Sequence, residues 1–492
     1  MSEHQSSSDP AGPAPAVEGG ARPLCVDLDG TFLKVDTLWE FMVAALQQTP
    51  LRLAGILPRF ARPADRARAK TDLTGAVRVD LASLPVRPEV RELIRRHRAT
   101  GGAVFLVTAS PQAVADQVAA VHGCFDAAWG SSRGENLKGP AKAAFLVARF
   151  GAGNFDYVGD STADLAVWRV AARQVAIAPG GRLPPALADA ALPVEPLPVA
   201  RPPHAWLRAL RPHQWAKNLL VFVPLLTAHR VSDPAALGPA AVAAAAVSLI
   251  ASALYLLNDI FDAPHDRRHR QKQHRPIATG DLTVLAAGGL ALLLLALSVP
   301  LGAVLPVACA GWLLTYALVS AAYTLLLKRL FLLDAVVLVV LHLARIMLGC
   351  AATGIVCSRW LLGFAALMLG SLALLKRYVE IMSVPAGTAA NLPGRGAYSR
   401  TAGAFIRAAG LALGWLATLV FSCYLFSDQA HLLYRRPLWL AGAMLLLGAW
   451  ITRAWRLAAQ RRLPGDPVMF ALTDPASYLL GVLTLASVWL AR

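Results

Sequence analysis

Charge is scarce in this chain of 492 residues. Asp, Glu, Lys and Arg make up 16% of it against a hydrophobic share of 56%, where an ordinary soluble protein carries roughly a quarter charged residues. That scarcity excludes a wholly soluble protein and a disordered one, and points to a large membrane portion. Acidic residues are rarest after residue 200: the segment 201–492 holds 10 Asp/Glu against 26 Lys/Arg, a net of +16, whereas 1–200 holds 20 against 21, a net of +1. Cysteine is sparse too. Cys25, Cys124, Cys309, Cys350, Cys357 and Cys423 form no CxxC pair and no metal-ligand spacing, which excludes a disulfide-rich secreted framework and leaves reduced packing thiols. The basic excess sits in the apolar part, where it has two ordinary sources: positive charge that orients membrane helices, or a polyanionic substrate. No nucleic-acid partner is expected.

What is present divides into a tail, an α/β domain and an all-α membrane bundle. Residues 1–21 are Ser-, Pro-, Ala- and Gly-rich with neither a basic start nor an apolar core, so a disordered tail is expected, not a signal peptide. Residues 22–182 read as a soluble domain, with strand patterns at Pro23–Val26, Ala103–Thr108 and Phe155–Gly159 alternating with helical stretches, the mark of a parallel sheet. A helical, Arg-rich insertion (Arg52, Arg59, Arg62, Arg66, Arg68) covers about 36–88. A Pro-rich linker is expected over 183–203, spanning roughly 60 Å if extended at ~3.1 Å per residue. From there to residue 492, nine apolar stretches lie near 217–230, 235–257, 283–302, 304–325, 331–352, 358–377, 404–427, 435–455 and 474–491, most reaching the roughly 20 residues a bilayer helix needs. Leaving aside Arg345 within a span, alternate loops carry 20 Lys/Arg on the side of the soluble domain and 5 on the other. That ratio places the soluble domain and the long loops in the cytoplasm, on a multi-pass protein of a bacterial inner (plasma) membrane.

Four elements of the soluble domain fit phosphate-ester chemistry. Asp27-Leu28-Asp29-Gly30-Thr31 follows the first strand; one carboxylate attacks phosphorus and the second, two residues on, protonates the leaving oxygen. Thr108-Ala109-Ser110 ends the next strand and supplies a hydroxyl. Lys142 opens a helix and offsets the charge of a phosphoaspartyl intermediate, with Lys138 as the alternative. Gly159-Asp160-Ser161-Thr162-Ala163-Asp164 offers carboxylates suited to Mg²⁺. Residues 22–182 thereby resemble the haloacid dehalogenase (HAD) superfamily of phosphatases, with a Rossmann-like core and a helical cap. The resemblance implies Asp27 as nucleophile, Asp29 as acid/base, Thr108 and Ala109 as phosphate ligands, Lys142 as the balancing cation, and Asp27, Asp29, Asp160 and Asp164 around Mg²⁺.

The membrane part carries Asn258-Asp259-Ile260-Phe261-Asp262-Ala263-Pro264-His265-Asp266, with its amide and carboxylates on one helical face. Such groups at a membrane boundary are costly unless they bind cations, and they suit Mg²⁺ on a diphosphate; Arg267, His269, Lys272 and Arg275 follow as phosphate-binding groups. Residues 204–492 resemble the UbiA superfamily of intramembrane prenyltransferases, whose first signature is NDxxDxxxD. The second aspartate motif of its aromatic prenyltransferases is replaced here by Lys376, Arg377, Glu380, Arg395 and Tyr398, and Glu380 is the only acid between Ala335 and Ser427. The segments around Lys217, Arg267–Arg275, Tyr323–Lys328 and Lys376–Glu380 resemble the decaprenyl-phosphate phosphoribosyltransferase family, although Arg270 stands where that family has proline. The resemblance implies transfer of 5-phosphoribose from phosphoribosyl diphosphate (PRPP) to a polyprenyl phosphate, with these residues binding PRPP or lipid phosphate. His342 and Arg345 share one face of a span and are either functional or a packed pair.

The reading is a bifunctional enzyme: the membrane part makes polyprenyl-phosphoryl-5-phosphoribose and the phosphatase removes the 5-phosphate, giving a pentose donor for envelope glycans. The alternative is an aromatic prenyltransferase for quinone or related synthesis, fused to a phosphatase of separate function. A non-enzymatic scaffold would need neither Mg²⁺ site.

Overall fold

The structure, a computed structural model, describes residues 21–492 apart from 184, 186–191, 201, 271, 384–401 and 464–466. The chain forms two units: Met1–Ala209 with Asp259–Gly289, and Leu210–Asn258 with Leu290–Arg492. The expected tail lies outside the described residues, but for residue 21.

The first unit is built on a six-stranded sheet ordered β3-β2-β1-β4-β5-β6, with β1 at Leu24–Val26, β2 at Val104–Pro111, β3 at Ala127–Ser131, β4 at Asp156–Gly159, β5 at Arg173–Pro179 and β6 at Glu195–Val199. Every pairing is parallel. Alternation along the strands feeds two apolar layers. Leu24, Val26, Leu106, Val158 and Ile177 fill one face, while Cys25, Phe105, Tyr157, Ala176 and Trp168 fill the other. A sheet buried on both faces needs nearly continuous apolar strands, and β1, β2 and β4 have them. Because β1 pairs with β2 on one side and β4 on the other, its carboxyl end lies at the switch point where parallel sheets bind ligands.

Past the end of β1, Leu33 and Val86 bridge each other antiparallel outside the sheet; Lys34 N–H donates to Pro85 (2.8 Å) and Arg87 N–H to Phe32 (2.9 Å). Between them lies the helical cap: α1 (Thr37–Gln48), α2 (Pro50–Ile56) and α3 (Arg66–Ala76). Asp36 caps α1 by accepting from Leu38 N–H. Flanking the sheet are α4 (Pro88–Ala99), α5 (Gln112–His122) and α6 (Pro140–Phe150).

The segment expected as an extended linker is corrected. Within 183–203, Glu195–Val199 is an edge strand in register with Val175–Pro179, and Arg173 clasps Glu195 with two hydrogen bonds. Pro196 and Pro198 suggest a linker, yet proline is tolerated on an edge strand. A strand held in the sheet is not free to span 60 Å.

The protein is an integral membrane protein: among the described residues seven helices are long and apolar enough to cross a bilayer, from Pro234–Arg268 to Pro437–Ala459, with a shorter apolar helix at Pro475–Ala491. The stretch near 217–230 is not a span. It folds as a 3₁₀ run, Pro212–Phe222, and a five-residue helix, Val223–Thr227, with Pro224 in the first turn of the latter.

Small residues set helix approach in the second unit. Trp455 Nε1 donates to Ser371 Oγ, which donates to the Gly410 carbonyl (3.0 and 2.6 Å). Gly349, on Leu333–Thr353, packs so closely on the 3₁₀ run that a Cβ would stand 2.1 Å from the Val221 carbonyl oxygen. Gly311 has nothing within 4 Å of that position. Gly349→Ala should therefore lower the melting temperature in detergent, at a cost of about 1–3 kcal/mol, whereas Gly311→Ala should not. Equal melting curves for both variants would show that this packing is not what sets the helix spacing.

Candidate active sites

At the carboxyl end of β1, Asp27 N–H donates to the Val158 carbonyl (3.0 Å), tying the acid to β4. The turn that follows needs Gly30, whose φ is +78° and whose absent Cβ would lie 2.1 Å from Asp160 Oδ2; no other residue lets these two acidic loops approach. Arg87 Nε holds the turn by donating to the Gly30 carbonyl (2.9 Å).

The four sequence elements converge. Lys142 Nζ, 3% exposed, donates to Asp27 Oδ1 at 2.7 Å and lies 3.5 Å from Asp164 Oδ1. Lys142, not Lys138, thus occupies the lysine position beside Asp27. It also donates to Tyr157 Oη (2.8 Å), which donates to Asp164 Oδ1 (2.7 Å). The other Asp164 oxygen accepts from the backbone N–H groups of Asp160 and Ser161 and from the Ser161 hydroxyl. Burial works against the Lys142 ammonium, but Asp27 and Asp164 overcome it and hold its pKa above the ordinary lysine value. Burial, with Asp164 and Asp160 against Lys142, pushes the Asp27 carboxyl up to about 8; burial and Asp164 push Asp160 up to about 7.

Oxygens of Asp27, Asp160 and Asp164 lie within 4.8 Å of one another. Three carboxylates against one ammonium leave two excess negative charges, and hard oxygen donors in such a cluster fit a divalent cation such as Mg²⁺. Asp29 departs from its expected place as a ligand. It lies outside this cluster, with one oxygen accepting from Thr37 N–H (2.7 Å) and the other from Ser110 Oγ (2.8 Å). Thr37 Oγ1 and Ser110 Oγ are themselves 2.8 Å apart, so cap and core meet on the Asp29 carboxylate. Thr108 Oγ1 is fully buried and accepts from Ser110 N–H (3.0 Å). The Ala109 carbonyl accepts from Lys70 Nζ (2.8 Å) and Ser131 Oγ (2.9 Å).

Tyr157, Lys70, Arg87 and Thr37 were not singled out by the sequence motifs. Tyr157 alone had a signal, a phenol within an apolar strand, since a buried tyrosine hydroxyl needs a partner. Lys70 is one basic residue among many in α3.

The acidic motif of the membrane domain lies on the helix Pro234–Arg268. Among the described residues its carboxylates do not form a three-acid cluster. Asp259 and Asp266, each 2% exposed, are joined by Arg275 Nη1 at 3.1 and 2.5 Å. A cation held by these two acids would take the place of that guanidinium. Arg267, expected to bind substrate phosphate, instead makes a two-pronged pair with Glu40 of α1 (2.9 and 2.6 Å), both side chains 5% exposed. Arg268 pairs with Asp80. His269 and Lys272 continue the loop, the Lys272 N–H donating to the His269 carbonyl (3.1 Å).

In the second unit Lys328 Nζ donates to Asn258 Oδ1 (3.4 Å) and Lys217 Nζ to Gln214 Oε1 (2.6 Å). Arg377, fully buried, contacts Asp334 Oδ2 and Glu380 Oε2, each at 2.5 Å, and donates to Tyr323 Oη (3.2 Å). Lys376 precedes it, half-buried. Asp334 escapes a motif search because it stands one residue before the stretch whose only acid is Glu380. Arg345 donates to Asn218 Oδ1 (2.8 Å), Tyr316 Oη (2.9 Å) and the Leu341 carbonyl (2.8 Å), and His342 Nδ1 lies 2.5 Å from the Leu338 carbonyl. Arg345 and His342 therefore direct their hydrogen bonds to different groups. Arg395 and Tyr398 lie outside the described residues.

Comparison with known proteins agrees with both halves. The family model for haloacid dehalogenase-like hydrolases matches residues 24–169, and that for the UbiA prenyltransferase family matches 219–474. An uncharacterized protein of Sinorhizobium fredii, y4nM, is 34% identical over 464 residues, covering 94% of this chain and 89% of that protein. Nodulation protein NoeC of Azorhizobium caulinodans is 32% identical, covering 57% of this chain and 91% of its own. Decaprenyl-phosphate phosphoribosyltransferase of Mycobacterium tuberculosis is 30% identical, covering 57% and 92%. The chain belongs to the UbiA prenyltransferase family and carries a HAD-like hydrolase domain fused ahead of it.

Proposed function

We propose that the protein is a bifunctional inner-membrane enzyme that transfers 5-phosphoribose from PRPP to a polyprenyl phosphate and then removes the 5-phosphate. One observation carries the reading. A Lys142–Asp27 pair set among Asp160, Asp164 and Tyr157, suited to phosphomonoester hydrolysis, shares a chain with a membrane domain related over most of its length to decaprenyl-phosphate phosphoribosyltransferases.

In the transfer step the bond from ribose C1 to the diphosphate breaks and an oxygen of the lipid phosphate forms the new bond to C1. The nucleophile is already an anion, so no general base is needed. Asn258, Asp259, Asp262 and Asp266 would hold Mg²⁺, which would supply charge neutralisation for the departing diphosphate. Lys217, Lys328, Lys376, Arg377 and Tyr323, with Arg395 and Tyr398, supply groups for phosphate binding, and Glu380 restrains Arg377. The active-site loops and the phosphatase face the cytoplasm, the compartment the charge asymmetry indicates.

In the hydrolytic step Asp27 attacks phosphorus while Asp29 gives a proton to the departing ribose O5, forming a phosphoaspartyl on Asp27. Asp29 then takes a proton from the water that attacks this phosphorus, releasing inorganic phosphate and regenerating Asp27. Lys142 stabilises Asp27 and its phosphorylated form; Thr108 and Ala109 flank the phosphate. Asp27, Asp160 and Asp164 would hold Mg²⁺, which would supply charge neutralisation for the phosphoryl group.

Metal binding can be tested without turnover. A cation that relieves repulsion among these acids stabilises the fold by mass action, so Mg²⁺ should raise the melting temperature of wild type by several degrees and that of Asp160→Asn by clearly less. Identical Mg²⁺ responses would dissociate the triad from metal binding. Activity separates the halves. Asp259→Ala and Asp262→Ala should abolish lipid-linked phosphoribose formation while p-nitrophenyl phosphate hydrolysis continues, and loss of both activities would point to misfolding. With PRPP and a short polyprenyl phosphate, Asp27→Asn should accumulate the phosphorylated lipid, and wild type the lipid-linked ribose one phosphate lighter. Only the phosphorylated lipid from wild type, seen by mass spectrometry at long times, would assign the phosphatase another substrate. Efficient use of a polyprenyl diphosphate with 4-hydroxybenzoate would replace the transfer reading by aromatic prenylation.

A further inference from the structure

Two cavities of the first unit meet at Arg133, and neither is lined by Asp27, Asp160 or Lys142. The larger, about 680 Å³, lies between the cap and the start of α5, with Phe41, Val77, Val79, Pro111 and Val114 among its walls and Arg133 as its shared residue. Thr71, also in its lining, directly follows Lys70, and Pro111 directly follows Ser110, so the cavity borders the segments that carry Lys70–Ala109 and Ser110–Asp29. The smaller, about 430 Å³, is lined by Arg59, Arg62, Asp65, Arg68, Asp72 and Arg133.

Charge in the smaller cavity is unbalanced. Four guanidiniums face two carboxylates, and one of these, Asp72, serves both Arg59 (2.9 Å) and Arg133 (3.4 Å). Arg62 and Arg68 are exposed, and among the described residues no carboxylate pairs with either. An excess of two positive charges on planar, multidentate donors is the recognition chemistry of a phosphate group. The adjoining cavity falls in the size range of small-molecule pockets; most of its exposed lining is apolar, with Thr74, Gln112, Gln117 and Ser132 among the polar remainder, so it favours a ligand with a substantial apolar part.

We propose that the cap binds an amphipathic phosphate of the isoprenoid-lipid class, its phosphate on Arg59, Arg62, Arg68 and Arg133 and its chain in the cleft walled by Phe41, Val79 and Val114. Charge complementarity and the junction at Arg133 commit the site to this occupant. A soluble sugar phosphate would leave the apolar walls uncovered, and a flat bilayer surface would not enter the cleft. The site deepens the proposed function by naming what the phosphatase half grips besides the phosphate it cleaves. It rests on that reading only for the identity of the lipid.

The test uses the full-length protein in neutral phosphatidylcholine nanodiscs with farnesyl phosphate bearing a diazirine on its terminal isoprene. After irradiation, peptide mapping should find label within residues 71–79 and 111–117. Unlabelled farnesyl phosphate should displace it and ribose 5-phosphate should not. In Arg62→Ser/Arg68→Ser, labelling there should fall about tenfold, since two charge-assisted contacts are lost. Hydrolysis of p-nitrophenyl phosphate, unchanged in that variant, reports that the domain is folded. Label missing from both segments, or undiminished in the variant, would overturn the proposal. Equal displacement by ribose 5-phosphate, indicating a soluble sugar-phosphate site, would do the same. So would label that appears only in nanodiscs containing phosphatidylglycerol, indicating bilayer headgroups. A labelled cleft in a protein that leaves lipid-linked phosphoribose intact would uphold the site and overturn the substrate reading instead.

Discussion

A buried ammonium among acids is the constraint on which the phosphatase half depends. Lys142 Nζ is nearly sealed from solvent and touches Asp27, Tyr157 and Asp164. Breaking such an arrangement from one side leaves uncompensated charge in the interior, a cost of roughly 3–5 kcal/mol. The sheet topology exists around this point: β1 delivers Asp27, β4 delivers Asp160 and the loop to Asp164, and α6 delivers Lys142. Gly30 is the steric condition that lets the loops close together. Three acids for one lysine leave an excess of negative charge of the kind a divalent cation such as Mg²⁺ would balance.

The second unit solves the same problem with guanidinium groups. Arg377 and Asp334 are both fully buried and in contact, and Tyr323 and Glu380 complete the cluster. Arg345 is satisfied by an amide, a phenol and a carbonyl. In a helical bundle such groups are costly unless fully partnered, and these partners fix the orientation of both guanidiniums. Asp334 changes the meaning of the missing second aspartate motif, because an acid does stand beside Arg377, contributed by a different helix.

Much of this was legible in the sequence, for identifiable reasons. The α/β sheet with a helical cap and the helical membrane domain follow from strand and span patterning, and the phosphatase motifs converge because each ends or follows a strand of one parallel sheet. What escaped were features with no local pattern. β6 is disguised by Pro196 and Pro198. Tyr157 is one aromatic in an apolar run, and Lys70 one cation in a basic helix. The pairing of Arg267 with Glu40 joins residues 227 positions apart. Spacing along a helix showed that Asp259 and Asp266 share a face, but not that Arg275 bridges them, because that contact depends on how the following loop folds back.

The proposed function requires two reactions in sequence on one lipid. A time course with PRPP radiolabelled at the 5-phosphate and a short polyprenyl phosphate resolves that order. Label should enter the lipid fraction first, pass through a maximum, and then appear as inorganic phosphate while unlabelled lipid-linked ribose accumulates. Label released as phosphate without ever entering lipid, or retained in lipid through complete consumption of PRPP, would contradict it.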